Sequence, residues 1–292
     1  MNPEITAKFA SLQEKGEAAL IAYVMAGDPD PETTPKIVEA LVRGGADLIE
    51  LGMPFSDPVA DGPTIQAAGS RALAAGMNPE RYFELVAGLK VKIPRICMSY
   101  YNLVFRFGPE AFVKKCKASG LSGLIVPDLP VQAAAELRKA CQQHSLALIF
   151  LIAPTSPDKR IEPILSRTEG FVYLLSSLGV TGVREEIGNQ AEELLTRVKS
   201  DLPKAVGFGI STGAQAESLI RAGANAVIVG SAFVKLIASN TALNMDSTMA
   251  LPPSSSTSPL KLEAIEKLEK ELEALARELK TGIRKATASA VG

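Results

Sequence analysis

Glu50 and Asp61 bracket the turn-rich stretch of LIELGMPFSDPVADGPTIQ (48–66), and their surroundings set the chemistry open to them. Glu50 falls among Leu48, Ile49 and Leu51 in a strand-like apolar run. An extended chain there holds the carboxyl away from water, where ionisation is penalised and the pKa rises. A group tuned in this way can give or take a proton near neutral pH. Asp61 follows across a loop of Pro and Gly, so one strand-to-loop element carries two acids. For Glu50 alone, a solvent-facing carboxylate at a frayed strand end would be the better explanation. The second acid and the dense turn residues favour proton chemistry.

Other catalytic chemistries have little support. Cys97, Cys116 and Cys141 are widely spaced, and His144 is the single histidine. Neither a disulfide framework nor a Cys/His zinc site can be assembled from them. His144, in QQHSLA, is expected at a helix end, Cys97 in a strand core, and Cys116 and Cys141 in helices, which gives little support to a Ser-His or Cys nucleophile.

The elements that must position the acids are short apolar runs, each followed by a helical pattern. Strands are expected at 19–27, 46–52, 94–101, 123–128, 146–154, 171–177, 204–210 and 225–231. These runs are nearly continuous in hydrophobicity, as in parallel strands covered on both faces. Eight such units predict a (β/α)8 TIM barrel with an extra N-terminal helix, within one domain spanning 1–292. A doubly wound open sheet is the alternative. The 47% hydrophobic content supplies a core, and 31 basic against 32 acidic residues give no field favouring nucleic acid or membrane. The longest apolar runs, such as LALIFLIAP (146–154), fall short of the roughly 20 residues that cross a bilayer. The N-terminal segment has early acids and no apolar core, so the expected location is cytoplasmic, or plastid if a transit peptide has been removed.

In a barrel, chemistry gathers at the C-terminal strand ends. There the pattern places Glu50, Tyr100 and Asp128, with Tyr173 within the sixth strand. GFGIST (207–212) and VGSAF (229–233) put Gly209, Gly230 and Ser231 where backbone amides and a helix N-terminus can face a phosphate. Gly179 and Gly182, in SLGVTGVRE, join the same quadrant. Each short motif alone is also compatible with a plain turn.

With LIELGMPFSDPVADGPTIQAA, SYYNLVFRFG, VPDLP, FVYLLSSLGVTG, GFGIST and VGSAFVK in that order, the chain resembles the α subunits of tryptophan synthase. The resemblance covers residues 1 to about 240. It implies a lyase that cleaves indole-3-glycerol phosphate by a retro-aldol reaction into indole and glyceraldehyde 3-phosphate. No metal or organic cofactor is implied. Glu50 would carry the acid–base work and Asp61 would stabilise charge on the indole nitrogen. Tyr173 would support Glu50 or the glycerol hydroxyls, and amides around Gly182, Gly209, Gly230 and Ser231 would hold the phosphate. Tyr23, Met98, Tyr100, Ile125, Phe208 and Ile228 are candidates for the indole pocket or for plain barrel core. The implied partner is a tryptophan synthase β subunit in an α2β2-type complex. A stand-alone indole-releasing lyase, a non-catalytic barrel that binds a phosphometabolite, and another phosphosugar enzyme on this fold are the alternatives.

Phe55, Val59, Val104, Phe105 and Phe107 are expected exposed in the loops after the second and third strands, as a partner surface or as a lid. Residues 239–260, rich in Ser, Thr and Pro, read as a flexible surface linker before a last helix at 261–286. Ile265, Leu268, Leu272, Leu275 and Leu279 form the apolar stripe of that helix, which fits either the last barrel helix or a docking helix.

Overall fold

The computed structural model describes residues 3–175, 184–207, 209–247 and 259–288. Its strands are β1 (Ala19–Met25), β2 (Leu48–Gly52), β3 (Arg95–Met98), β4 (Gly123–Ile125), β5 (Ala147–Ile149), β6 (Leu151–Ile152), β7 (Val172–Leu175), β8 (Lys204–Gly207) and β9 (Ala226–Val229). The helices are α1 (Pro3–Glu14), α2 (Thr34–Arg43), α3 (Pro63–Ala74), α4 (Pro79–Gly88), α5 (Tyr101–Phe107), α6 (Pro109–Ala118), α7 (Ala135–Gln143), α8 (Asp158–Leu165), α9 (Arg184–Arg197), α10 (Gly213–Arg221), α11 (Ser231–Ser247) and α12 (Pro259–Ala288).

The strands pair in parallel in the order β5-β4-β3-β2-β1-β9-β8-β7-β6. β5 and β6 are one apolar run broken at Phe150, and they hold opposite ends of that order. β5 pairs with β4 and β6 with β7, so the sheet closes into a nearly complete barrel through this single interrupted segment. The eight expected strand runs are therefore the eight barrel positions. Every residue of β1 and β2 is buried, as parallel strands under a helical ring require. Several strands end before the expected boundary: β4 stops at Ile125, and Pro127, which has no N–H for a ladder bond, lies two residues on in the loop.

α1 closes the N-terminal end of the barrel. It buries Ile5, Phe9 and Leu12, with the Phe9 ring 5.8 Å from that of Phe171. At the same end Lys280 of α12 reaches inward with only 5% of its side chain exposed. Its Nζ donates to Ala18 O at 2.9 Å and to Asp47 Oδ2 at 2.8 Å, and lies 3.1 Å from Glu17 Oε2. Removing this cation would leave Asp47, only 12% exposed, without its counter-charge and Glu17 with Arg284 alone. Lys280→Ala is expected to cost about 2 kcal/mol of stability or more, read as a lower urea midpoint with an unchanged slope.

α12 lies along α2, α10 and α11, with Leu268, Leu272, Leu279 and Ile283 buried. A Cβ at Gly282 would collide with the Gly213 carbonyl oxygen, so two helix backbones touch there. The 239–260 segment begins as helix, since α11 continues to Ser247. Its first polar residues bond back along the helix: Ser239 Oγ donates to Lys235 O at 3.0 Å and Thr241 Oγ1 to Ile237 O at 2.8 Å. Asn240 Nδ2 also donates to Glu271 Oε2 at 2.8 Å, tying α11 to α12. Residues 248–258 lie outside the described residues. No described helix is long and apolar enough to cross a membrane.

Candidate active site

β2 aims Glu50 into the barrel, where its register partners are Tyr23 of β1 and Ile96 of β3. The residue is 3% exposed, and Glu50 Oε2 is buried without a hydrogen-bond partner. Burial, and secondly the negative charge of Asp61, push its pKa up to about 8. Asp61 stands on the loop between β2 and α3. Burial raises it to about 6, tempered by a hydrogen bond from the Tyr100 hydroxyl. That hydroxyl also accepts from Ala60 N at 3.2 Å, and the Tyr100 ring stacks on Phe55 with centroids 5.5 Å apart. Tyr100 therefore fixes the loop that presents Asp61.

Tyr23, Glu50, Asp61, Met98, Tyr173, Gly209, Ile228, Gly230 and Ser231 line one cavity with an empty volume of about 540 Å³. Two further lining residues, Ile65 and Ile210, were not expected. Ile65 opens α3 just past Asp61 and Ile210 follows Gly209, so proximity to named residues was the only available signal. Glycines make room for the two phenols. A Cβ at Gly52 would strike the Tyr23 hydroxyl, and one at Gly207 would strike that of Tyr173. Burial raises both phenols well above their ordinary range, so they remain protonated donors. Gly209 has φ 77°, a conformation glycine adopts freely.

The remaining expected positions fall elsewhere. Tyr100 reaches the site through Asp61 rather than the cavity wall, and Ile125 is buried in β4 away from the lining. Asp128 is exposed and accepts from Tyr101 N at 2.9 and 3.1 Å, serving the start of α5. Phe208 and Gly182, with Gly179, lie outside the described residues. The expectation of an exposed NLVFRFG loop is corrected: the segment is helix α5, with Val104 fully buried and Phe107 packed edge-on to Phe83 and Phe112. Val59 at 82% and Phe105 at 65% exposure do project outward, while Phe55 is half-buried. Cys97, Cys116 and Cys141 are buried and free, and His144 ends α7. Among the described residues no cluster of three or more His, Cys, Asp or Glu could hold a metal ion. A larger groove of about 1180 Å³ between α10 and α12 is shallow, and its charges are used locally: Arg277 pairs with Glu273 and Glu278 accepts from Gly213 N.

A parallel barrel whose strands and β2–α3 loop bring Glu50 and Asp61 to one cavity is a (β/α)8 barrel with a candidate active site inside it. The family model for the tryptophan synthase alpha chain matches residues 9–259. The tryptophan synthase alpha chain of Methanosarcina barkeri is 56% identical over 284 residues, covering 97% of this chain and 98% of that one. That of Methanosarcina acetivorans is 56% identical over 280 residues, covering 96% and 94%. Among solved structures, tryptophan synthase subunit alpha from Legionella pneumophila superposes with a TM-score of 0.82 at 30% identity, over 98% of this chain and 99% of that one. A Mycobacterium tuberculosis tryptophan synthase chain gives a TM-score of 0.81 at 35% identity, over 97% and 99%. The chain belongs to the tryptophan synthase alpha chain family, the lyase subunits that cleave indole-3-glycerol phosphate in tryptophan biosynthesis.

Proposed function

We propose that Glu50 and Asp61 divide the retro-aldol cleavage between them according to their protonation. Near neutral pH a carboxyl raised to about 8 holds its proton, whereas one at about 6 is largely ionised. Glu50 then delivers its proton to indole C3, which places positive charge on the ring nitrogen. Asp61, ionised, accepts the ring N–H and stabilises that charge. The Glu50 carboxylate next takes the proton of the glycerol hydroxyl as the carbon–carbon bond breaks, releasing indole and the aldehyde. The proton count closes on Glu50 with no outside acid.

The phosphate end of the substrate is assigned to the backbone at Gly209 and Gly230 and to the α11 N-terminus at Ser231. The helix start carries no acidic residue in its first turn, and its dipole favours an anion. Gly182 would complete this set. Apolar side chains of Met98, Ile228, Ile65 and Ile210 suit the indole ring. Val59 and Phe105, exposed beside the mouth, suit docking of a β subunit in an α2β2-type complex, to which the released indole passes.

The opposed charge states of the two acids carry this assignment, and a pH profile tests them. kcat/KM is expected to be bell-shaped, losing activity on the acid side as Asp61 takes a proton near 6 and on the alkaline side as Glu50 loses one near 8. A flat profile across that range would contradict the division of roles. Indole release from indole-3-glycerol phosphate, followed by absorbance, should rise strongly on adding a β subunit. Equal rates with and without the β subunit would point to a stand-alone lyase.

A further inference from the structure

Tyr23 Oη is buried and has no hydrogen-bond partner, although the residue is only 6% exposed and lines the cavity. A hydroxyl in this position weakens the fold that contains it, and phenylalanine would fill the same space without that penalty. The backbone fixes where the hydroxyl points. Tyr23 is in register with Glu50 and Met25 with Gly52, and residues 50 and 52 face the same side of β2. The base of the ring rests on Gly230, where a Cβ would come within 3.1 Å of the ring, and its hydroxyl occupies the space a side chain at 52 would take. Tyr23 Oη thus sits one strand step nearer the mouth than Glu50. It lies close enough to both acids that the charges of Asp61 and Glu50 bear on it.

A substrate with its reacting carbon at Glu50 and its phosphate at Ser231 must run its intervening carbon chain past the Tyr23 ring. We propose that Tyr23 is a specificity-determining residue whose hydroxyl hydrogen-bonds a hydroxyl of the substrate's polyol phosphate chain. This rests on the cavity being the indole-3-glycerol phosphate site. A ligand hydroxyl arriving there gives the phenol a partner that a deoxy chain cannot, so the site favours a polyol chain over a deoxy chain of the same length. Indole, phosphate and chain length are read elsewhere, by the apolar wall and the α11 N-terminus.

The test compares wild type with Tyr23→Phe on two ligands. One is indole-3-glycerol phosphate, measured as kcat and KM, and the other is indole-3-propanol phosphate, which keeps ring and phosphate but has no chain hydroxyl, measured as a dissociation constant. Tyr23→Phe is expected to lower kcat/KM for the glycerol substrate about tenfold, chiefly through KM, and to leave affinity for the propanol analogue unchanged. Its melting midpoint should hold or rise, because a buried group without a partner has been removed. Equal weakening toward both ligands, no change toward either, or a lower melting midpoint with unaltered discrimination would each overturn the assignment. Wild-type protein that binds the analogue but never cleaves the glycerol substrate would overturn the lyase site itself. Cleavage by wild type without discrimination by the variant would overturn the role of Tyr23 alone.

Discussion

Glu50→Gln is expected to lower kcat by about 10³-fold or more while KM and analogue affinity change little. The amide keeps the size and approximate shape of the side chain, so the cavity and its apolar wall stay intact. It can neither deliver a proton to indole C3 nor collect one from the hydroxyl, so both halves of the cycle stop together. The same variant carries an independent signature in stability. In the folded protein Glu50 holds its proton up to about 8, against an ordinary value of 4.5. Below the ordinary value both folded and unfolded states are protonated and nothing is lost. As pH rises the unfolded chain ionises first, and the folded state becomes relatively less stable until the buried carboxyl also ionises near 8. Gln is neutral throughout. Glu50→Gln should therefore match wild type in denaturant at about pH 4 and exceed it increasingly up to about pH 8, with the gap constant above that. Wild-type turnover in this variant would remove Glu50 from the mechanism, and a stability gap independent of pH would show that its proton is held no more tightly than in water.

Asp61→Asn tests the other half. Its expected loss is about 10² to 10³ in kcat, the scale of removing one preorganised charge from a developing cation. Because the role is electrostatic rather than proton transfer, the alkaline side of the pH profile should persist while the acid side disappears. The substitution also removes one of the two causes that raise Glu50, so the alkaline limb should shift downward from about 8. An unchanged profile with normal kcat would exclude Asp61 from charge stabilisation. These shifts make the pair separable by kinetics even though the two acids titrate under each other's influence.

Much of this site was legible before any coordinates because its chemistry is written locally. A glutamate between Ile49 and Leu51 is conspicuous wherever the strand goes, and glycines at 209 and 230 announce close backbone approach. What stayed hidden depends on folding across distance. Nothing in SYYNLV says that the Tyr100 hydroxyl will reach back to Ala60 and Asp61. α5 spans seven residues, too few for a helical period to emerge, and so Val104 and Phe107 looked like loop residues. LALIFLIAP reads as one strand, and only the closing geometry of the barrel breaks it at Phe150, where its two halves serve different neighbours. The Ser/Thr/Asn run from 239 resembles a linker by composition, yet the side chains of Ser239, Asn240 and Thr241 bond back to their own helix.

The contact between Gly52 and the Tyr23 ring also has an evolutionary consequence. A methyl group at 52 would overlap the phenol oxygen and lie within 2.9 Å of the ring carbon that bears it. A side chain at 52 thus forces the tyrosine at 23 to shift, whereas a smaller residue at 23 meets no clash with glycine still at 52. The two positions are therefore coupled, and a side chain is expected to enter at 52 more easily once the residue at 23 has become smaller.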